Sequence, residues 1–330
     1  ESTRLQNRQS HTQGASPISL CPRSLPHVNP LLANRSLRIS FRLSTFFPYL
    51  NMKFRLLLGL VCSAALFSGR LSAAPSGPEL GLQTWTCRNM TFDQVVDFAT
   101  KHGLKQIEFI AAHLDPAAPR EESLRKKAIL DAHGLTAYSF GVNRPGLDKE
   151  ENRKLFEFAK LMGMKVIAVE PQDLRAWDNL EELVKEYDIK LAIHNHNLDT
   201  VYGNPATVLK VLEKRDHRIG VCLDIGWITA AGFDAAKVFH DYGDRVYDRH
   251  LKDKEIVTTD GKSVAIDTEI GKGKANYAGL FAEIKKTGWT GVMAIETDSK
   301  AFAENPNRLV DEARKFFDSE TATFKKVAAR

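Results

Sequence analysis

From residue 80 onward the sequence predicts an α/β protein built as a single (β/α)8 barrel, because short strand-like runs alternate with stretches of helical periodicity. About 250 residues accommodate eight such pairs, which is the usual size of this barrel. A doubly wound open sheet is the alternative, but the stretch TWTCRNMTF after the first run is not the glycine-rich phosphate loop typical of that fold. The strand-like runs are 80–85, 105–110, 136–141, 165–170, 190–195, 219–224, 246–251 and 291–296.

The stretches between the runs repeat their apolar residues at helical spacing, as in FDQVVDFATKHGL and EENRKLFEFAKLMGM. Several of them end in glycine just before the next run, which is typical of a helix C-terminus. Thr91 is the predicted N-cap of the first helix. The last stretch, which begins at Asn305, is predicted to be a long polar helix that closes the barrel.

Two segments before the barrel are predicted to lie outside the working domain. Residues 1–51 have one acidic side chain and no apolar periodicity, so we interpret them as a disordered, non-native upstream extension, with a disordered native arm as the alternative. Residues 52–74 have the form of a secretory signal peptide: basic residues, an apolar run of 12 residues and small residues up to Ala74. That run is shorter than the roughly 20 residues that span a bilayer, although a buried helix or membrane anchor is the alternative.

The predicted signal peptide, cleaved near Ala73 or Ala74, leaves a catalytic domain at 75–330 that is exported to a periplasm or to the cell exterior. The whole chain has a net charge of +5, but nine of its 46 basic and one of its 41 acidic side chains lie in residues 1–73. The remainder is therefore mildly acidic, which argues against binding to a nucleic-acid backbone. Only Cys87 and Cys222 remain, too few for a disulfide framework, and Cys222 is expected to be a buried free thiol.

Four polar residues at strand ends are predicted to meet at one mouth of the barrel. Side chains alternate along a strand, and catalytic residues of such barrels lie at the carboxyl ends of the strands. Closely packed carboxylates repel each other unless a cation lies between them, and this donor set suits one divalent cation, Mn²⁺, Mg²⁺, Co²⁺ or Zn²⁺. The inward sets are Val166, Ala168 and Glu170; Gly220, Cys222 and Asp224; Val246, Asp248 and His250; and Val292, Ala294 and Glu296.

The fifth run, KLAIHNHN, places two histidines on the inward face. His196, nearest the rim, is predicted to hydrogen-bond or deprotonate substrate hydroxyls. His194, one layer deeper, is predicted to orient a metal ligand or to bind substrate. The alternative is that both imidazoles are paired structurally with carboxylates.

Four further residues are predicted to contact substrate, and three of them have a structural alternative. Trp227 and Trp85 are candidate aromatic walls for a sugar ring, and Trp85 is equally explained by packing. Lys252 has inward parity but is also explained as a solvated lysine at the rim. Glu108 has inward parity on the second run, with a core salt bridge as its alternative.

The motifs VIAVEP, LAIHNHN, GVCLDIGW, DRVYDRHLKD and GWTGVMAIE, with a Gly-Lys-Gly turn at 271–273, resemble the sugar phosphate isomerase/epimerase superfamily of xylose isomerase-like TIM barrels. This superfamily includes tagatose 3-epimerase, inosose dehydratase and hydroxypyruvate isomerase, and the resemblance spans about residues 80 to 300. It implies Glu170, Asp224, His250 and Glu296 as metal ligands, with Glu170 and Glu296 exchanging the substrate proton. Trp227 departs from the pattern, since many members have histidine there.

These features predict a divalent-metal-dependent sugar isomerase or epimerase that abstracts a proton next to a carbonyl through a metal-stabilised enediolate. The alternative is a metal-dependent lyase or dehydratase acting on a keto-sugar or 3-keto-glycoside. Phosphorylated sugars are scarce outside the cytoplasm, so an exported enzyme is expected to act on free sugars or oxidised glycosides, and oxidised glycosides favour elimination. A non-catalytic sugar-binding barrel and an endonuclease IV-like nuclease are the remaining classes. The expected partner is a small-molecule sugar or sugar derivative, with no nucleic acid and no stable membrane anchor; a homo-oligomer is left open.

Overall fold

The structure is a computed structural model that describes residues 77–324. The upstream extension predicted at 1–51 and the signal peptide predicted at 52–74 lie outside these residues. Within 77–324, every helix is too short or too polar to cross a membrane.

Eight parallel strands form the barrel within residues 77–324, and each coincides with one of the predicted runs, although the first begins one residue before its run. The strands are β1 (Glu79–Gln83), β2 (Gln106–Phe109), β3 (Thr136–Phe140), β4 (Val166–Val169), β5 (Lys190–His194), β6 (Ile219–Asp224), β7 (Val246–Leu251) and β10 (Val292–Ile295). Their order around the barrel is β3-β2-β1-β10-β7-β6-β5-β4. The predicted (β/α)8 barrel is therefore confirmed.

The barrel closes between β3 and β4 through the residues that follow β3. The Asn143 N–H donates to the Ala168 carbonyl at 2.9 Å, and the Glu170 N–H donates to the Asn143 carbonyl at 2.8 Å. These two bonds fix the backbone of Glu170, a predicted site residue, directly at the mouth of the barrel.

Helices pack around the strands and begin and end at residues of the expected chemistry. The predicted N-cap Thr91 accepts from the Gln94 N–H, and Gln94 bonds back to the Thr91 N–H in a capping box. Gly163 and Gly288 end two helices with φ of 81° and 69°, which a side chain would disfavour. The helices are α1 (Phe92–Lys101), α2 (Arg120–Ala132), α3 (Lys149–Met162), α4 (Ala176–Tyr187), α5 (Pro205–Leu212), α6 (Ile225–Ala230), α7 (Ala235–Tyr242), α8 (Tyr277–Thr287), α9 (Lys300–Glu304) and α10 (Asn307–Thr321).

A register shift between β6 and β7 changes one predicted inward set. Val221 pairs with Val246, but the next residue, Cys222, pairs with Asp248. The extra residue, Tyr247, packs against the small side chains on the barrel axis, whereas Val246 joins the outer core. The sequence analysis counted alternate residues back from His250 and predicted that Val246 faces the barrel axis. That prediction was wrong, because a β-bulge places two residues of β7 opposite one residue of β6.

Arg249, on the outer face of β7, is buried against two aromatic side chains, one in α7 and one just after α8. Its guanidinium carbon lies 3.9 Å from the ring centre of Phe239 and 3.5 Å from that of Trp289. Its three side-chain nitrogens donate no hydrogen bond within the described chain. Burial lowers the pKa of Arg249 well below its ordinary value, since the aromatic faces replace only part of its hydration.

A two-stranded antiparallel hairpin follows β7 and stands outside the barrel sheet. Its strands are β8 (Asp253–Thr259) and β9 (Lys262–Thr268). It was not predicted, because most of its side chains are polar or exposed and no buried face produces a regular pattern. Its base lies beside the candidate site, since Asp267 pairs with Lys254 and accepts from the Thr297 hydroxyl at 2.7 Å.

Candidate metal centre and active-site cavity

Buried polar residues gather where the carboxyl ends of four strands meet. Asp224 is the last residue of β6 and His250 lies near the end of β7, while Glu170 and Glu296 directly follow β4 and β10. Their exposed fractions are between 0 and 7 %. Such burial of charged side chains requires compensating partners, which defines the electrostatics of the site.

Four side chains bring donor atoms within 4.8 Å of one another: His194, Asp224, His250 and Glu296. The Nδ1 atom of His250 lies 2.8 Å from Oε2 of Glu296 and 3.5 Å from Oδ2 of Asp224. It also lies 3.0 Å from Nε2 of His194. Two imidazoles and two carboxylates at this spacing form a donor set that divalent transition metals accept.

Two oxygens of this cluster are left without hydrogen bonds, which tests whether a cation fits. Oδ2 of Asp224 and Oε2 of Glu296 are both buried, and neither accepts a hydrogen bond of acceptable geometry from residues 77–324. A buried carboxylate oxygen in this state is costly unless a cation lies against it, and within the described residues the Lys252 ammonium lies against both. The two oxygens accept no directed hydrogen bond from it, so together with the two imidazoles they remain a donor set that fits a divalent cation.

Glu170 lies beside this cluster rather than within it. The Nδ1–H of His196 donates to Oε1 of Glu170 at 3.1 Å, and Arg144 donates to Oε2 at 3.3 Å. In the set that converges, His194 takes the fourth position for which the sequence predicted Glu170. The alternation of side chains along a strand assigned Glu170 and His194 to the inward face, but it could not predict how deep in the barrel each one lies.

The backbone around Asp224 is fixed by Asn195, which the sequence analysis did not select. The Asn195 side chain donates to the Asp224 carbonyl at 3.1 Å and accepts from the Asp224 N–H at 3.0 Å. Oδ1 of Asp224 caps α6 by accepting from the Trp227 N–H at 2.8 Å. One carboxylate oxygen is thus used structurally, and the other points into the cluster.

A second polar layer lies beneath the cluster on the barrel axis. The Nε2–H of His250 donates to Oε2 of Glu108 at 2.8 Å, which leaves Nδ1 facing the cluster. Glu108 is fully buried and lies outside the residues that line the cavity, so its placement differs from the predicted substrate contact. Beside it, the Tyr138 hydroxyl donates to Asp248 at 2.8 Å, and burial with the nearby Glu108 charge raises the pKa of Asp248.

Lys252 is buried in the cluster, not solvated at the rim. Its Nζ lies 3.1 Å from Oδ2 of Asp224 and 2.9 Å from Oε2 of Glu296. It lies 3.0 Å from Oδ2 of Asp298, the partner to which it donates a hydrogen bond. Burial lowers the pKa of Lys252, but the negative charges outweigh it and hold that pKa well above its ordinary value.

The charges around the cluster set the ionisation of its members in the metal-free protein. Burial raises the pKa of Asp224 and of Glu296, but the Lys252 ammonium and the neighbouring histidines together outweigh it, and both pKa values are lowered. Burial also raises the pKa of Glu170, but the hydrogen bond from His196 and the positive charges around the carboxylate together outweigh it, so that pKa is lowered too. All three carboxylates are therefore ionised at neutral pH and available to a cation or a proton.

A cavity of about 540 Å³ opens above the cluster, a size typical of small-molecule sites. The predicted residues Trp85, His194, His196, His250 and Glu296 lie on its wall. Trp227 stands behind His196 at a ring distance of 6.1 Å, and Lys254 covers its ring at 3.9 Å. Sequence reasoning missed the remaining lining residues, which are Gln83 at the end of β1 and the loop residues Ile110, Gly141, Val142, Asn143, Arg144 and Asp298.

Residues 96–320 match the family described as the xylose isomerase-like TIM barrel. The chain belongs to this family. The match covers more than half of the chain and confirms the resemblance that the strand-end motifs predicted. It also accounts for the position of the cluster, since sites in barrels of this type lie at the carboxyl ends of the strands.

Among its relatives is an inosose dehydratase of Clostridium perfringens, 26 % identical over 290 residues, which cover 74 % of this chain and 93 % of the relative. A structure of the IolI protein with a bound zinc atom is 16 % identical, with a TM-score of 0.60 over 74 % of this chain and 99 % of that one. A D-allulose 3-epimerase from Methylomonas sp. is 16 % identical, with a TM-score of 0.59 over 75 % and 99 % of the two chains. The two structures share the fold of this chain.

Proposed function

We propose that this protein is a divalent-metal-dependent sugar isomerase or epimerase, which removes a proton from the carbon beside a carbonyl. The observation that carries the proposal is the cluster of His194, Asp224, His250 and Glu296 at the floor of a sugar-sized cavity. When bound there, the cation would polarise the substrate carbonyl and stabilise the negative charge of an enediolate.

The proton chemistry is assigned to two carboxylates that are held differently. Glu170 lies at the mouth of the barrel behind His196, which lines the cavity and donates to Oε1, so the pair can take a proton from substrate and hold it at the imidazole or at the carboxylate. Glu296 lines the cavity and belongs to the metal cluster, which suits it to return or accept a proton from a second direction. Trp85, exposed by 41 % on the cavity wall, offers an aromatic face to a sugar ring.

A lyase or dehydratase is the second candidate, and one finding favours it. The curated relative from C. perfringens is an inosose dehydratase, and it aligns over nearly its full length. Elimination begins with the same proton abstraction, and His196 can then act as the acid that protonates the departing group. We propose keto-sugars and 3-keto-glycosides as substrates of this reaction, because an exported enzyme would meet few phosphorylated sugars.

Export itself is proposed from the sequence at 52–74. Expression of the full chain in a bacterial host, followed by fractionation and N-terminal sequencing, tests it. A mature chain that begins near Ala74 in the periplasm or medium is the expected result. Full-length protein retained in the cytoplasm would contradict it.

The decisive experiment is incubation of the Mn²⁺-loaded protein in D₂O with free sugars and 3-keto-glycosides, read by NMR. Deuterium entering the carbon beside the carbonyl, with all substituents retained, is the result expected of an isomerase or epimerase. Release of water or an aglycone, with an unsaturated keto-sugar left, identifies the lyase instead.

Two variants separate catalysis from binding in this experiment. Glu170→Gln keeps the hydrogen-bonding shape beside His196 but removes the base, so exchange should fall by at least about a hundredfold while Mn²⁺ still binds. Glu122→Gln, which changes an exposed surface carboxylate on α2, is the matched control and should exchange at the wild-type rate. Equal exchange in wild type and Glu170→Gln would refute the assigned base.

A further inference from the structure

We propose that Lys252 and a divalent cation are alternative occupants of the space between Asp224 and Glu296. On this proposal, the arriving cation moves the Lys252 ammonium to Asp298 and toward the substrate cavity. The inference rests on the proposed metal site, but it concerns what that site holds before the metal arrives. According to this proposal, binding of the metal also brings the Lys252 ammonium to the substrate as a hydrogen-bond donor.

The first support is that Lys252 touches the same two oxygens that a cation would use. Its Nζ is at ion-pair distance from Oδ2 of Asp224 and Oε2 of Glu296, at 3.1 and 2.9 Å. The same two oxygens belong to the converging set of metal donors. An ammonium at this distance competes with a divalent cation for the negative charge of the same two oxygens, because the two positive charges repel each other across a site with little water.

The second support is the direction of the hydrogen bonds. Lys252 donates with acceptable geometry to Asp298, whereas within residues 77–324 the two shared oxygens accept no hydrogen bond. The ammonium therefore neutralises Asp224 and Glu296 by charge while its hydrogen bond already belongs to Asp298. Its departure from the pair breaks no well-directed hydrogen bond to either oxygen.

The third support is that Lys252 has a place to go. Asp298 has a side chain that is 33 % exposed and lines the cavity, so an ammonium that keeps this partner moves toward substrate. The lysine stem lies against Gly226, where an added Cβ would fall 2.6 Å from Cγ of Lys252. The lack of a side chain at that position makes room for the buried stem.

The charge balance gives the proposal its function. Without the ammonium, Asp224 and Glu296 would be two ionised carboxylates in a dry site, which is strongly unfavourable. Lys252 thus stabilises the metal-free site, and its positive charge also weakens the binding of a divalent cation there. Removing it should raise the affinity for a divalent cation and lower the stability of the metal-free protein.

The test is titration of the full chain with Mn²⁺ alone, followed by calorimetry and by the EPR signal of free Mn²⁺. Lys252→Met keeps the stem and removes the charge, and we expect it to bind Mn²⁺ at least about tenfold more tightly than wild type. Lys254→Met is the matched control, because Lys254 is buried in the same network and pairs with Asp267 and Asp298 but contacts neither shared oxygen. It should bind within about threefold of wild type.

A measurement on the wild-type protein covers the case in which Lys252→Met does not fold. Acetylation of Lys252 by acetic anhydride, read by mass spectrometry, should accelerate several-fold when Mn²⁺ is added, while that of Lys254 is unchanged. Equal Mn²⁺ affinity in wild type and Lys252→Met, or acetylation of Lys252 that does not respond to Mn²⁺, overturns this inference and leaves the metal site standing. Failure of wild type and Lys252→Met alike to bind Mn²⁺ overturns the proposed metal-dependent function as well.

Discussion

Glu108 offers a direct test of how the site holds its metal. The Nε2–H of His250 donates to the buried Glu108 carboxylate at 2.8 Å, which fixes the ring so that Nδ1 faces Asp224 and Glu296. Glu108→Gln retains an oxygen that can accept this hydrogen bond but removes the negative charge. The substitution therefore perturbs the basicity and orientation of His250 without opening a cavity.

The size of the effect follows from the strength of a hydrogen bond to a charged group in a buried site. Such a bond contributes about 1.5–3 kcal/mol, and a hydrogen bond to a neutral acceptor about 0.5–1.5 kcal/mol, so removal of the charge costs about 1–1.5 kcal/mol. At about 1.4 kcal/mol per factor of ten, this is roughly a tenfold loss, the lower end of the 10- to 100-fold loss seen when the partner of a metal-binding histidine is mutated. We therefore expect Glu108→Gln to bind Mn²⁺ or Zn²⁺ about tenfold more weakly than wild type.

The assay is a metal titration by calorimetry, with circular dichroism to verify the fold of each variant. Asp248→Asn is the matched control, because Asp248 lies in the same buried layer and its Oδ1 accepts from Tyr138. This substitution should leave metal affinity within about threefold of wild type. Equal affinity in wild type and Glu108→Gln, or equal loss in both variants, would refute the orienting role of Glu108.

Three further predictions concern stability and reactivity. Arg249→Met should raise the free energy of unfolding in urea by about 1 kcal/mol or more, because it removes a buried charge that the described chain leaves without hydrogen bonds; a decrease would contradict this. Asn195→Ala should lower that free energy by about 2 kcal/mol, because two buried hydrogen bonds to the Asp224 backbone are lost, and Asn195→Asp should restore at most part of it. Burial raises the pKa of Cys87 to about 12, so DTNB at pH 8 should modify Cys87 and Cys222 in unfolded protein but scarcely in native protein, and rapid native labelling would be inconsistent with these buried thiols.

The strand pattern was predictable because burial on both faces of a parallel strand leaves short apolar runs between amphipathic helices. The N-cap at Thr91 was also predictable, because a helix cap depends on residues that are only three positions apart in the sequence. The bulge at Tyr247 was not, because it depends on how β6 and β7 pair. Its position decided which side chains of β7 face the axis.

The sequence by itself determined the fold class and the polar residues that end the strands, including Asp224, His250 and Glu296. Strand parity is a local property, so it could select these side chains from the order of residues alone. The tertiary structure decided how they are used: His194 joins the cluster, Glu170 pairs with His196 beside it, and Lys252 neutralises its carboxylates. These assignments depend on depth along the barrel and on distances between strands, and both arise only when the sheet closes.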